Sequence, residues 1–392
     1  MKEEFTVIAL LVLIILATAC ISHFNSINST QTPSKLQTST KPHAIETTST
    51  VSTQTFTTAT ATASISTTPS PATTSAPAET LPSASSIPKS MTSSPITSTS
   101  TSSTPTTTPT PVPKTLTISS WAYQLQNADP EEIAKSGFDL VVIDYSRDGT
   151  DNEAYSRSEI EKIKAAGVIP VAYISIGEAE DYRFYWREEW KTNPPVWLGK
   201  ENPEWPGCYA VKYWDEEWKR IVFAYLDKIL AQGFQGVYLD KVDEFEYWAD
   251  NGYNENWTAK QMIKFILEIA NYTRSKAGKN FLIIPQNGEN LLDYDDGRLL
   301  AAVSGWASED VFYNGLELSP WTAGKVPYLD KIIRVKKFVL VVDYVDDGTR
   351  SEEDIKRILD FRSKALKRGY IPYAALVDRE LDELNIIPGI QP

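Results

Sequence analysis

Two pairs of acidic residues close apolar runs in this sequence. Asp240 and Asp243 end GVYLDKVD, and Glu309 and Asp310 end SGWASED. Other runs finish alike: LVVID at Asp144, VAYISIGE at Glu178, FLIIPQNGE at Asn287 and Glu289, and FVLVVD at Asp343. Two carboxylates facing one opening can share the work of glycosidic cleavage. One protonates the leaving oxygen while the other attacks the sugar or activates a water. Histidine chemistry is excluded, because both histidines, His23 and His43, lie in the N-terminal tail. That removes Ser-His-Asp hydrolysis and histidine-ligated zinc.

The elements that must carry these residues follow from periodicity. Short β-branched apolar runs read as strands buried on both faces. Eight are found: LTISSWAYQ, FDLVVIDYS, VIPVAYISIGE, GVYLDKVD, FLIIPQNGE, AVSGWASEDVF, FVLVVDY and YIPYAALVD. Helical patterns lie between many of them: PEEIAKSG, Arg157 to Gly167, Glu216 to Gly233, Ala259 to Gly278 and Ser351 to Gly369. Ser156 or Ser158 caps the second, and Ile221, Ala224, Tyr225 and Ile229 form the apolar face of the third. Ala179 to Asp215 reads as a long loop dense in Trp, Tyr and Pro.

Eight strands with interleaved helices predict an α/β fold, a (β/α)8 TIM barrel, with its site at the C-terminal ends of the strands. An open doubly wound sheet is the alternative. Strands four and six stand two places apart around the rim, so Asp240 and Glu309 can face each other across the mouth. No G-x-G-x-x-G follows the first strand, so no dinucleotide site is indicated.

Composition divides the 392 residues. Residues 1–24 read as a signal peptide, or as a lipoprotein or membrane anchor with small residues before Cys20. Residues 25–113 are nearly all Ser, Thr, Pro and Ala, a disordered stalk open to O-glycosylation. Residues 114–392 have globular composition and the length of one barrel. This places the domain outside the cell, secreted or surface-anchored, where the sequons at Asn28, Asn256 and Asn271 become relevant. The net charge is −13. The tail's few lysines and glutamates nearly cancel, so the domain carries that acidity. It repels nucleic acid and anionic lipid and attracts a cationic substrate. Cys208 reads as a structural thiol, not a partner for Cys20.

Aromatic residues favour a sugar as ligand. Trp121, Tyr123, Tyr145, Tyr173, Tyr182, Tyr185, Trp186, Trp205, Tyr238 and Trp306 fall at strand ends or in the long third loop. The motifs WAYQLQ, VVIDYSRDG, YISIGEAEDYRFYW, WPGCYAVKYWDEEW, GVYLDKVDEFEYW, PQNGE and SGWASEDVFYN resemble glycoside hydrolase family 114, the endo-α-1,4-polygalactosaminidase family, over nearly all of residues 114–392. The resemblance implies a TIM barrel that cuts α-1,4-linked galactosamine polymers. Carried over by motif, it implies Asp240 and Glu309 as the catalytic pair and Asp144, Glu178, Asn287 and Asp343 as pocket residues. Asp243 would tune Asp240. Glu289, Tyr123, Tyr173 and Trp306 complete the expected sugar-binding set. Q-N-G-E on strand five stands where fungal members have a lysine-asparagine pair, which leaves the polymer itself open.

No cofactor and no metal are expected, and the partner expected is a polysaccharide bound by a monomer. Two competing readings remain at this level. A non-catalytic surface lectin-like barrel would keep the aromatics without needing both Asp240 and Glu309. A carboxylate-metal-dependent barrel hydrolase is the other, with DYDDG at Asp293 to Gly297 and VDDG at Val345 to Gly348 as peripheral calcium candidates.

Overall fold

The computed structural model describes residues 118–392. The expectations for the leader or anchor, the stalk, Cys20 and Asn28 lie outside the described residues. In chain order the elements are β1 (Trp121–Tyr123), α1 (Pro130–Lys135), β2 (Leu140–Ile143), α2 (Arg157–Ala165), β3 (Ile169–Ser175), β4 (Glu178–Glu180), β5 (Leu198–Glu201) and β6 (Cys208–Val211). Next come α3 (Glu216–Gln232), β7 (Gly236–Asp240), α4 (Glu244–Asp250), α5 (Glu255–Ala277), β8 (Leu282–Pro285), α6 (Arg298–Ala302) and β9 (Gly305–Glu309). The chain ends with β10 (Tyr313–Asn314), β11 (Glu317–Leu318), α7 (Thr322–Arg334), β12 (Phe338–Asp346), α8 (Glu352–Leu366) and β13 (Ile371–Leu376).

The barrel strands are β1, β2, β3, β7, β8, β9, β12 and β13, paired in parallel in the orders β1-β2-β3-β7-β8 and β13-β12-β9. These correspond to the eight strands read from the sequence. A parallel bridge between Gln286 and Ala307 joins β8 to β9. Between β13 and β1 the closure is made by side chains. Trp121 Nε1 donates to Ile371 O at 2.9 Å, and the Gln391 amide serves the N–H and C=O of Ala374 at 2.9 and 3.0 Å. A side-chain amide thus supplies the donor and acceptor that a neighbouring strand would offer.

Helix boundaries follow local chemistry. Ser156 and Glu159 form a capping box at α2, and Asp215, Asn254 and Ser351 cap α3, α5 and α8. The buried stripe of α3 is Trp218, Val222, Tyr225, Leu226 and Ile229. It is rotated from the stripe expected: Ala224 is exposed, because the large Trp218 sets the row that continues through Val222, Tyr225 and Ile229.

Three departures from the sequence reading matter for the site. The segment after β3 is no plain loop, since β4, β6 and β5 form an antiparallel sheet in that order. A short helix, α4, begins directly after the β7 turn. A full helix, α7, separates β9 from β12 and carries Pro327 in its interior.

Candidate active site

Strand parity aims the first carboxylate. Tyr238 meets Trp121 and Tyr123 inside the barrel, with ring centroids 6.3 and 5.1 Å away. Side chains two apart on a strand share a face, so Asp240 points into the same interior, one layer nearer the C-terminal mouth. On the neighbouring strand Tyr173 is the register partner of Tyr238. Its hydroxyl donates to Asp240 Oδ2 at 2.8 Å.

The second carboxylate is held from two strands. Glu309 ends β9, where it pairs in register with Val342. Tyr344, two residues further on β12, donates its hydroxyl to Glu309 Oε1 at 2.5 Å. Asn287, just past β8, donates Nδ2 to Glu309 Oε2 at 3.3 Å. The backbone is unusual at these strand ends. Lys241, Asn287 and Asp310 each adopt left-handed φ values of 58°, 56° and 49°, directly after β7, near the end of β8 and after β9. Such conformations cost roughly 1–3 kcal/mol each for residues with a side chain and cluster where function requires a fixed geometry. Gly177 fits because a Cβ there would fall 2.1 Å from Lys241 O and 2.7 Å from Glu244 Cβ. The turn after β3 therefore sits hard against the turn after β7.

Electrostatics identify one mouth. Burial pushes Asp240 up to about 7, with Lys241 pulling down and Glu309 and Asp243 pushing up. Tyr238 is held well above its usual range by burial, then by Glu309 and Asp240. Tyr123 responds to both carboxylates too, after its burial. Two acids that act on the same rings and on each other belong to one site.

The raised Asp240 has a stability consequence. Its folded value of about 7 lies above the ordinary 3.8, so the folded protein holds this proton more tightly than the unfolded chain. That stabilisation is complete below the unfolded value and disappears as pH rises through the folded one. Asp240→Asn is therefore expected to melt above the wild type at pH 8, with the gap closing towards pH 5. Calorimetry across that range tests it; a variant melting below the wild type at pH 8 would refute it.

The other expected site residues divide by geometry. Tyr173 and Asn287 touch the pair, and Tyr123 lies in the ring layer beneath it. Glu178 is buried, accepting from Asn202 Nδ2 at 2.8 Å with Lys241 Nζ at 3.1 Å. Asp243 stands beside them, raised to about 6 by burial against the pull of Lys241. Glu289 is buried in the turn after β8, with Oε1 lacking a partner.

Three residues are placed as supports. Asp144 is buried in an ion pair with Arg183 at 2.7 Å. Trp306, expected to face the sugar, has no exposed surface, and its indole donates to Asn287 O at 2.8 Å. Asp343 is fully enclosed and accepts the N–H groups of Val311, Phe312 and Tyr313 at 2.7, 2.8 and 2.8 Å, fixing the segment that follows Glu309.

Several participants went unread in the sequence. Lys241 lies between Glu178, Asp240 and Asp243, which drive its pKa up against burial. Glu244 is buried near Glu178, and burial first, then Glu178, pushes it up to about 9. Its place at the end of GVYLDKVDE was the available signal. Tyr344 had one as well, as the next residue after the strand-end Asp343. Lys325, on the unread α7, had none.

Among the described residues no group of three or more His, Cys, Asp and Glu is arranged to hold a metal. The calcium candidates are engaged otherwise. Asp295 accepts Leu299 and Leu300 N–H, Asp296 pairs with Arg298, and Asp347 pairs with Arg357. A surface groove of about 630 Å³ runs between α5 and residues 293–298. It contains neither Asp240 nor Glu309, so the site rests on side-chain geometry and not on that hollow.

Comparison with known proteins bears on the family and the fold. The profile of glycoside-hydrolase family GH114 matches residues 98–391. An uncharacterized protein of Methanocaldococcus jannaschii is 66% identical over 268 residues, covering 68% of this chain and 78% of that one. The glycoside hydrolase domain of PelA from Pseudomonas aeruginosa superposes with a TM-score of 0.53 at 17% identity, over 69% of this chain and 98% of that one. Ega3 of Aspergillus fumigatus, solved in complex with galactosamine, gives a TM-score of 0.52 at 16% identity, over 69% and 96%. At such identity these two structures speak to the barrel fold.

Proposed function

The chain belongs to glycoside hydrolase family GH114, and on that premise we propose that it is an endo-acting hydrolase of an α-1,4-linked galactosamine polymer. The coarser statement, a polysaccharide-cleaving glycosidase, is the family's. The observation that carries the hydrolytic reading is the convergence of Asp240 and Glu309 on one ring layer, each bonded by its own tyrosine. The net charge of −13 favours a polycation, which free galactosamine units provide. On the inserted sheet and its loops, Tyr182 and Trp205 are 45% and 55% exposed and offer faces on which sugar rings can stack.

In this proposal Asp240 attacks the anomeric carbon while Glu309 gives a proton to the departing glycosidic oxygen. A glycosyl ester forms on Asp240. Water then attacks that ester, Glu309 takes the water's proton, and Asp240 leaves as carboxylate. The raised pKa of Asp240 supports a reciprocal assignment as a second reading, in which Asp240 is the acid and Glu309 the nucleophile. Burial first, and the nearby charge of Glu309 with it, raises Asp240 to about 7. The enzyme is further proposed to act as a monomer outside the cell, tethered or released through residues 1–24.

The test is reducing-sugar release from partly deacetylated poly-α-1,4-galactosamine by the full chain. Release of oligomers is expected. Binding without cleavage on this and a panel of other glycans would replace the hydrolase with a lectin-like barrel.

A further inference from the structure

Lys325 lies on α7, outside every motif that marks the site, yet its ammonium reaches into it. Nζ donates to Glu309 O at 2.8 Å, Asn287 Oδ1 at 3.1 Å and Ser308 Oγ at 3.4 Å. All three acceptors are neutral, and among the described residues no carboxylate lies within ion-pair distance of it. Its charge is instead felt more distantly, helping to lower Asp243 and Asp310 against their burial.

The contact with Asn287 has a directional consequence. Asn287 Oδ1 also accepts the Glu309 N–H at 3.1 Å. An ammonium and a backbone N–H can do nothing but donate, so the amide oxygen must face them. The NH2 group is thereby turned to Glu309 Oε2. The remaining polar atoms of Asn287 are tied down as well: N donates to Ala307 O at 2.9 Å, and O accepts from Trp306 at 2.8 Å. The left-handed backbone at Asn287 persists because these bonds over-determine it.

We propose that Lys325 is a positioning residue for the catalytic pair. It fixes the Asn287 amide so that Nδ2 orients the Glu309 carboxylate. The inference rests on Asp240 and Glu309 being the hydrolytic pair.

Lys325→Met is expected to lower kcat by roughly a hundredfold, the scale of a small misplacement of a reacting group, with KM little changed. Without the cation, neighbouring carboxylates bind protons more tightly. The acid limb of the pH–rate profile should therefore move to higher pH, and Lys325→Arg should return it. Because Lys325 acts through Asn287, adding Lys325→Met to Asn287→Ala should cost far less kcat than it does alone. A carbon-13 NMR titration of the Asp243 and Asp310 carboxyls, which Lys325 helps to lower, gives a readout without turnover, expected to shift upward in Lys325→Met.

Full kcat with an unmoved titration in Lys325→Met would overturn the proposal, as would strictly additive losses in the double variant. If the wild type cleaves no polymer, the reading of the site fails instead, and the titration still judges the role of Lys325.

Discussion

Asp240→Ala and Glu309→Ala are each expected to lose polymer hydrolysis by about a thousandfold or more, within the range seen when a positioned acid, base or nucleophile is removed. Azide should then separate the two roles. A variant lacking the nucleophile opens the face from which that carboxylate attacked. Azide entering there gives a glycosyl azide of inverted anomeric configuration. A variant lacking the acid–base residue still forms the covalent ester from an activated aryl oligosaccharide. Azide replaces water in the second step, and the product keeps the starting configuration. On the proposed assignment Asp240→Ala yields the inverted azide and Glu309→Ala the retained one. The raised pKa of Asp240 makes the exchange of these products a meaningful outcome, since it would establish the reciprocal assignment. Undiminished hydrolysis in either variant would remove that residue from the pair.

Much of this site was legible because barrel strands turn residue type into position. An apolar run ending in Asp or Glu places that acid at the C-terminal mouth, and the resemblance to a known family singled out Asp240 and Glu309. Parity then settles what lies beneath: Tyr238 and Asp240 share a face, and so do Trp121 and Tyr123. The illegible part was carried by features without a period. Lys325 comes from α7, where Pro327 and small residues mask the helical pattern. The inserted sheet escaped notice because β4, β5 and β6 have only three or four residues each, too short for alternation to emerge. Asp144 and Asp343 show a different limit. A strand-end acid reads the same in sequence whether it faces the mouth, a buried arginine or three backbone amides.

Arg183 makes that last distinction measurable, and its replacement is expected to have the largest effect on stability. The guanidinium is buried, bonding Asp144 at 2.7 Å and Glu180 at 2.7 Å, both of which are buried too. It also lies over the Tyr182 ring at 4.8 Å and within 5.9 Å of Tyr173, the ring that bonds Asp240. Arg183 therefore ties the inserted sheet to β2 and packs against the tyrosine that bonds Asp240. Arg183→Met fills the space but strands two buried carboxylates without a cation. Breaking a buried pair in this way costs about 3–5 kcal/mol.

The loss should depend on pH with a definite sign. Burial already lifts Asp144 to about 6 in the presence of the arginine. Without it, the value rises further, and the folded variant gains protons that the unfolded chain, with ordinary carboxylates, does not hold. The variant's stability therefore falls as pH rises through and beyond 6, faster than that of the wild type. The gap in Tm is expected to be wide at pH 8 and narrower at pH 5. Arg183→Lys should fall between the two, since one ammonium keeps the charge but cannot bond both carboxylates in the same fork. A uniform gap at all pH values would mean that Arg183 contributes by packing over its tyrosines and not by charge.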